Sequence, residues 1–231
     1  MGAINFRSAT SAQGNTTNQS VTMPTVVAGD VIILIVGWQA TGATLSFSGA
    51  GNWQHIGTDE VNGTANVLAT YYAVSTDGSE SGAITTFNFT SIVKFATVIA
   101  SYSGVKQGSP FALSTPQYAI YTTSNTTSAT APAESPVPNS WGLTFYSSKS
   151  STNASYTTPA GLTSRAQVFG TGGGAIDLAL FDTNGIVSSI GGQTSTMGTA
   201  TAQKIAGTLV LNDKLAHRLQ LGQAVNRAGV F

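Results

Sequence analysis

The 231-residue sequence contains no cysteine. A disulfide framework is therefore excluded, and so is any metal site built on thiolates. We find no motif that implies another metal or a cofactor, and we expect the protein to carry none. Its stability has to come from side-chain packing, to which assembly with other chains can add.

Charged residues are also scarce. Nine Lys and Arg and nine Asp and Glu make up 8% of the chain and leave no net charge. Proteins that bind nucleic acid cluster Lys and Arg to displace counterions from the phosphates, and this sequence has no such cluster. With 41% hydrophobic residues, the composition is unlike a disordered tail and more like a folded, β-rich protein.

Long hydrophobic runs are missing as well. The most apolar stretch, residues 31–36, has six Val, Ile or Leu residues between Gly29-Asp30 and Gly37-Trp38. A membrane-spanning helix needs about 20 apolar residues, so we expect no membrane insertion. The β-branched composition predicts a central strand buried on both faces. The N-terminus lacks the features of a secretory signal, and synthesis in a cytoplasm is the expectation.

Short apolar segments separated by Gly, Asn and Pro recur along the rest of the chain. Turn signals at intervals of about 8–12 residues are typical of all-β folds. We predict an antiparallel β-sandwich of the jelly-roll type. The predicted strands are residues 31–38, 44–48, 53–57, 67–74, 86–90, 94–103, 141–146, 175–181 and 205–211, with one more strand after the turn at residues 157–165.

The composition changes at three places along the chain. Residues 1–20 are polar and form an N-terminal arm or a first strand, and residues 21–212 form the sandwich domain. Within it, the Ser/Thr/Pro-rich stretch 104–138 is interpreted as a long crossover between halves of one sandwich. A linker between two domains is disfavoured because neither half alone carries many buried-strand signals.

Residues 213–231 form a C-terminal arm. Asn212 or Asp213 is a candidate cap for a short helix. Two interpretations stay open: a helix or loose end that belongs to its own domain, or an arm that docks on a neighbouring subunit or particle. The candidate assembly contacts at the two ends of the chain are Phe6, Arg7, Leu215, Arg218, Leu219, Leu221, Arg227 and Phe231.

Several motifs follow one another in a fixed order. They are Ala28-Gly29-Asp30, Gly51-Asn52-Trp53-Gln54-His55-Ile56-Gly57, Tyr71-Tyr72-Ala73-Val74, Tyr102-Ser103-Gly104-Val105 with Pro110-Phe111, and Thr158-Pro159-Ala160-Gly161-Leu162-Thr163-Ser164-Arg165. In this order they resemble β-sandwich modules of bacteriophage virion proteins of the minor tail protein type and of some bacterial surface proteins. The resemblance covers residues 20–212, and Leu162 stands where such modules often have an aromatic residue or Met.

The polar residues do not form a catalytic constellation in sequence. His55 is interpreted as a hydrogen-bonded turn residue, since one histidine in a turn does not make a triad. Asp59 and Glu60 are neighbours that face opposite ways on a strand, and they are interpreted as loop charges. Asp30 is interpreted as an Asx turn at a strand entry, and Asn184-Gly185 as a type I′ turn. The glycines at 172–174 and 191–192 are interpreted as loops.

Three tryptophans, Trp38, Trp53 and Trp141, are candidate glycan contacts, because an aromatic ring can stack on a sugar. The competing interpretation places them in the core, where large aromatics in strands usually lie.

The resemblance implies a non-enzymatic structural subunit of a phage virion, with a minor tail protein in tail assembly or host-surface contact as the leading hypothesis. The alternatives are a capsid decoration protein on the outer shell and a cell-wall glycan-binding module; an enzyme of glycan cleavage is the most remote. The implied partners are other virion proteins, further copies in a trimer or ring, and the host surface. The implied location is the tail or the capsid surface.

Overall fold

A computed structural model describes residues 4–112, 115–122, 125–134, 140–150, 152, 155–190, 192–201 and 203–214. These residues form fourteen strands, arranged in two facing antiparallel sheets and a two-stranded ribbon. The predicted all-β antiparallel sandwich is thereby confirmed.

The first sheet is built by the first half of the chain around the apolar segment singled out in the sequence. Its strand order is β1-β7-β2-β6-β4, with β3 paired to β7 and β5 to β6. In β2 every residue from Val31 to Trp38 is buried, which confirms the predicted central strand. The strands are β1 (Asn5–Thr22), β2 (Val31–Gln39), β3 (Leu45–Gly49), β4 (Gln54–His55), β5 (Glu60–Asn62), β6 (Asn66–Val74) and β7 (Ile84–Ser103).

The second sheet and the ribbon are built by the second half. The sheet has the order β8-β14-β10-β12-β11, and β9 pairs with β13 in the ribbon. The strands are β8 (Gln117–Tyr121), β9 (Thr126–Thr130), β10 (Ser140–Ser150), β11 (Thr163–Phe169), β12 (Ala175–Asp182), β13 (Thr194–Thr201) and β14 (Lys204–Asn212).

The two halves have the same topology. If the five strands of each main sheet are numbered along the chain, both sheets have the spatial order first, fifth, second, fourth, third. The strands that match are β1 with β8, β2 with β10, β4 with β11, β6 with β12 and β7 with β14. The sandwich therefore consists of two copies of one unit packed face to face.

A backbone hydrogen bond and a glycine turn repeat with nearly the same spacing. The Met23 amide donates to the Ala83 carbonyl, and the Ala131 amide, 108 positions later, donates to the Gln193 carbonyl, 110 positions after Ala83. Gly51 before β4 and Gly161 before β11 both adopt positive φ, 89° and 77°. These correspondences extend the repeat from the strand order to the turns.

Three apolar clusters hold the layers together. The central one lies between the sheets and takes alternate residues of β2 and β10, such as Ile33, Ile35, Leu143 and Phe145. A second cluster joins the other face of the first sheet to β3, to residues 21–26 and to the first part of β7. A third joins the second sheet to the ribbon. Both outer faces of the sandwich are thus covered by parts of their own unit.

Three details differ from the sequence-based predictions. Residues 86–90 and 94–103, predicted as two strands, belong to one strand, β7, because β1 pairs with it on both sides of an irregularity near Thr16. The predicted crossover 104–138 carries two short strands, β8 and β9, which pair with β14 and β13. The jelly-roll arrangement is not confirmed, since each half of the chain builds its own sheet.

Candidate functional site

Arg7, a candidate assembly contact, is used within the chain. Its Nη2 donates to Oδ1 of Asp30 at 3.0 Å, and this hydrogen bond raises the pKa of the Arg7 guanidinium. Asp30 is buried at the entry to β2 and also accepts the Val27 amide at 2.9 Å. The predicted Asx turn at Asp30 is therefore wrong: this carboxylate accepts from preceding residues and fastens β1 to the start of β2.

Phe6, the neighbouring candidate contact, packs between the two sheets. Its ring meets Tyr102 edge-on, with centroids 5.7 Å apart, and the guanidinium carbon of Arg165 lies 4.2 Å from the ring centroid. Both side chains therefore make contacts within one chain, Arg7 with the Asp30 carboxylate and Phe6 with the Tyr102 ring. This internal use argues against both side chains as primary contacts to another subunit.

A buried polar network lies beside Phe6. Arg165 Nε donates to Asp182 Oδ2 at 2.7 Å, and the Tyr102 hydroxyl donates to the same oxygen at 3.2 Å. Burial, and after it the Asp182 charge, raises the pKa of Tyr102 well above its ordinary value. Because Tyr102 lies on β7 and Asp182 on β12, the network ties the first sheet to the second.

The turn after Asp182 is not of type I′. Asn184 has a positive φ of 47°, but Gly185 does not, whereas a type I′ turn needs both. Instead, the Asn184 amide donates to Asp182 Oδ1 at 2.9 Å, and the Asn184 side chain accepts from Arg165 at 2.6 Å. In this conformation Asp182 and Asn184, on either side of Thr183, both accept hydrogen bonds from Arg165.

Two of the three candidate glycan contacts are core residues. Trp38 is 1% exposed and Trp141 is 4% exposed, because both sit on strands covered on both faces. Neither ring can stack on a sugar, and these two assignments are wrong. Trp53 is partly exposed; its indole donates to Thr85 Oγ1 at 3.1 Å and packs beside Phe47.

His55 and Asp59 form a pair on the surface of the first sheet. His55 Nε2 lies 3.0 Å from Asp59 Oδ1, and the imidazole stacks on Tyr71 with centroids 4.6 Å apart. Burial raises the pKa of Asp59, while His55 opposes that shift. Burial and the Asp59 charge raise the pKa of Tyr71 to about 12. The stacking and the carboxylate fix the orientation of the imidazole.

The glycine-rich loop at residues 170–174 accepts hydrogen bonds from side chains of the first sheet. Lys94 Nζ donates to the carbonyls of Thr171 and Gly173, at 3.2 and 2.6 Å, and Gln39 donates to the Gly174 carbonyl at 2.9 Å. Polar clefts of about 280 and 210 Å³ flank the loop, one beside Lys149 and one beside Lys94. Carbonyl groups directed at a lysine are the opposite of a phosphate-binding loop, which presents amide groups.

The remaining candidate contacts, Leu215, Arg218, Leu219, Leu221, Arg227 and Phe231, lie outside the described residues. The helix that Asn212 or Asp213 was predicted to cap also falls outside the described residues. Asn212 is the last residue of β14, and its side chain donates to the carbonyls of Ser109 and Phe111. Asp213 forms a β-bridge with Val105. The C-terminal end of β14 is thus held by the segment that follows β7.

Within the described ranges, no helix is long and apolar enough to cross a membrane. In that same part of the chain, no three His, Asp or Glu side chains are grouped so that they could hold a metal ion. Comparisons with protein-family models, curated proteins and solved structures find no match.

The sequence signals for the inter-sheet network were partial. Arg165 belongs to the Pro-Ala-Gly motif and Tyr102 to the Tyr-Ser-Gly-Val motif, but their separation in sequence gave no reason to join them. Asp182 was not singled out as a site residue in the sequence, although it stands two residues before the predicted turn at Asn184-Gly185. The available signal is the position of Asp182 at the end of an apolar strand. Because that strand is buried, a carboxylate at its end is expected to be a buried hydrogen-bond acceptor.

Proposed function

We propose that the protein is a non-enzymatic structural subunit of a phage virion, located in the tail and active in tail assembly or host-surface contact. The observation that carries the proposal is the structural use of the motifs that resemble virion β-sandwich proteins. The residues of these motifs join strands and sheets to one another. Such contacts hold a module rigid, as a structural role requires.

Three contacts illustrate this use. Asp30, of the Ala-Gly-Asp motif, fastens β1 to β2 through Arg7. Tyr102, of the Tyr-Ser-Gly-Val motif, meets Asp182 and thus Arg165 of the Pro-Ala-Gly motif. Phe111, of the Pro-Phe motif, packs edge-on against Tyr72 with centroids 5.0 Å apart and bridges to Leu211. The first contact lies within the first unit, whereas the second and third connect the two units of the sandwich.

The test is to locate the chain on intact particles. Antibodies raised against the purified protein are applied to particles of the phage whose genome encodes the chain, and bound gold is imaged by electron microscopy. Antibody pre-adsorbed with the purified protein is the control. Gold at the tail supports the proposal, and gold over the head replaces it with capsid decoration. Labelling of no particle, with no peptide of the chain in their mass spectra, rejects a virion role.

A further inference from the structure

The edges of the two sheets differ in how well they are protected against pairing with another strand. Unprotected edges invite pairing, and proteins usually shorten them, bend them or place charges on them. Of the edges formed by the described strands, β4 and β5 have two and three residues, and β8 has five. β11 has seven, with a register shift beside Arg165.

The outer edge of β1 has little of this protection. β1 has 18 residues and lies at the end of its sheet, so no other described strand pairs with its outer side. Between its two register shifts, residues 8–16 pair with β7 without interruption, from Ser8 opposite Ser101 to Thr16 opposite Val93. No charged residue and no proline occurs from Ser8 to Thr22.

We propose that this edge is an interaction surface for a second copy of the same chain, with the two β1 strands paired antiparallel about a two-fold axis. The first sheets of both copies then form one continuous sheet. This inference concerns association only and holds wherever the protein is located.

The side chains of the segment suit pairing with themselves. Residues 8–16 are Ser, Ala, Thr, Gln, Gly and Asn, and cross-strand Ser, Thr and amide pairs form hydrogen bonds without bringing like charges together. Arg7 adjoins the segment and is paired with Asp30, so the direction of pairing decides how close these two ion pairs come. Parallel pairing in register puts the two Arg7 residues side by side, whereas antiparallel pairing centred on Ala12 separates them by about 33 Å at 3.3 Å per residue.

The corresponding edge of the second unit does not offer the same surface. There the equivalent of β1 is divided into β8 and β9, which pair with different strands, β14 and β13. The two units thus provide one continuous edge and one divided edge. Because each chain has one such edge, we expect this contact to join two chains and no more.

The experiment measures the mass of the full chain in solution by sedimentation, with matched substitutions on the two edges. Gln13 on β1 and Gln117 on β8 are both exposed. Gln13→Lys places two like charges close to the axis, and we expect the mass to fall from twice the chain mass to the chain mass. Gln117→Lys, the control, leaves the dimer intact. Circular dichroism verifies that both variants are folded.

Spin labels provide a second readout, since the native chain has no cysteine to interfere. A label at Gln13→Cys lies near its counterpart on a neighbouring strand. A label at Gln117→Cys lies about 40 Å from its counterpart. In each copy β8 lies at the far end of a five-stranded sheet, and the four strand spacings across that sheet are about 4.8 Å each. A wild-type monomer overturns the proposal, as does a dimer that survives Gln13→Lys. So does a dimer lost only when residues 215–231 are removed, which assigns the contact to the C-terminal arm.

Discussion

Replacing Arg165 with Met tests whether the inter-sheet network stabilises the sandwich. The Arg165 side chain is 11% exposed and that of Asp182 is not exposed at all. Met keeps most of the apolar contact with Phe6 but removes the cation, so a buried carboxylate loses its charged partner. Breaking a buried ion pair in this way costs about 3–5 kcal/mol. We expect the free energy of unfolding to fall by that amount.

The assay is urea unfolding at pH 7, followed by tryptophan fluorescence. Two variants separate the charge effect from lost packing. Arg165→Met combined with Asp182→Asn leaves no charge in this network, and we expect it to recover at least half of the loss. Tyr102→Phe removes one neutral donor and should cost about 1 kcal/mol. A loss below about 1 kcal/mol for Arg165→Met, or no recovery in the double variant, refutes the reasoning.

Three further outcomes follow from other contacts. Gly207→Ala places a methyl group against the ring of Phe145 on the adjacent strand, and we expect a loss of about 1–3 kcal/mol in urea unfolding; Gly173→Ala, in open space, is the neutral control. The raised pKa of Tyr71 favours its protonated form in the folded state, so the stability it contributes is complete below pH 10.0 and is lost as the pH rises towards about 12. Tyr71→Phe should reduce this loss in urea titrations at alkaline pH. Acrylamide should quench mainly Trp53, and Trp53→Phe should remove the quenchable part of the fluorescence.

Each of these outcomes has a contrary result. Equal stability of Gly207→Ala and Gly173→Ala would mean that Phe145 moves aside without cost. An alkaline unfolding profile that Tyr71→Phe leaves unchanged would assign the loss to other groups. Strong quenching that persists in Trp53→Phe would show that solvent reaches the core tryptophans.

The sequence predicted the central strands because burial on both faces leaves a simple signal. Residues 31–38 are continuously apolar, and β12 and β14 were predicted within one residue at either end. The strands that escaped prediction, β5, β8, β9 and β13, are short or rich in Ser and Thr. These strands are stabilised mainly by pairing with neighbouring strands. Their own residues therefore show little of the alternation of apolar and polar residues by which a strand is predicted.

The relation between the two units was also hidden in the sequence. Gly63, Leu68 and Ala96 each have the same residue 110 positions later, as Gly173, Leu178 and Ala206. Such sparse identities become meaningful only once the strand orders are known to agree. The network at Asp182 was missed for a similar reason, since it joins residues 80 positions apart, Tyr102 and Asp182.

The pairing of β1 with β7 has a consequence for how the protein is made. Asn5 pairs with Ser103, so β1 has no partner strand during synthesis until β7 has been made. The inner face of the first sheet stays exposed for longer, because the second sheet that covers it has not yet been translated. Long-range pairing of this kind slows folding and leaves apolar surface and a strand edge exposed together. During synthesis the half-made chain is therefore the species most at risk of aggregation.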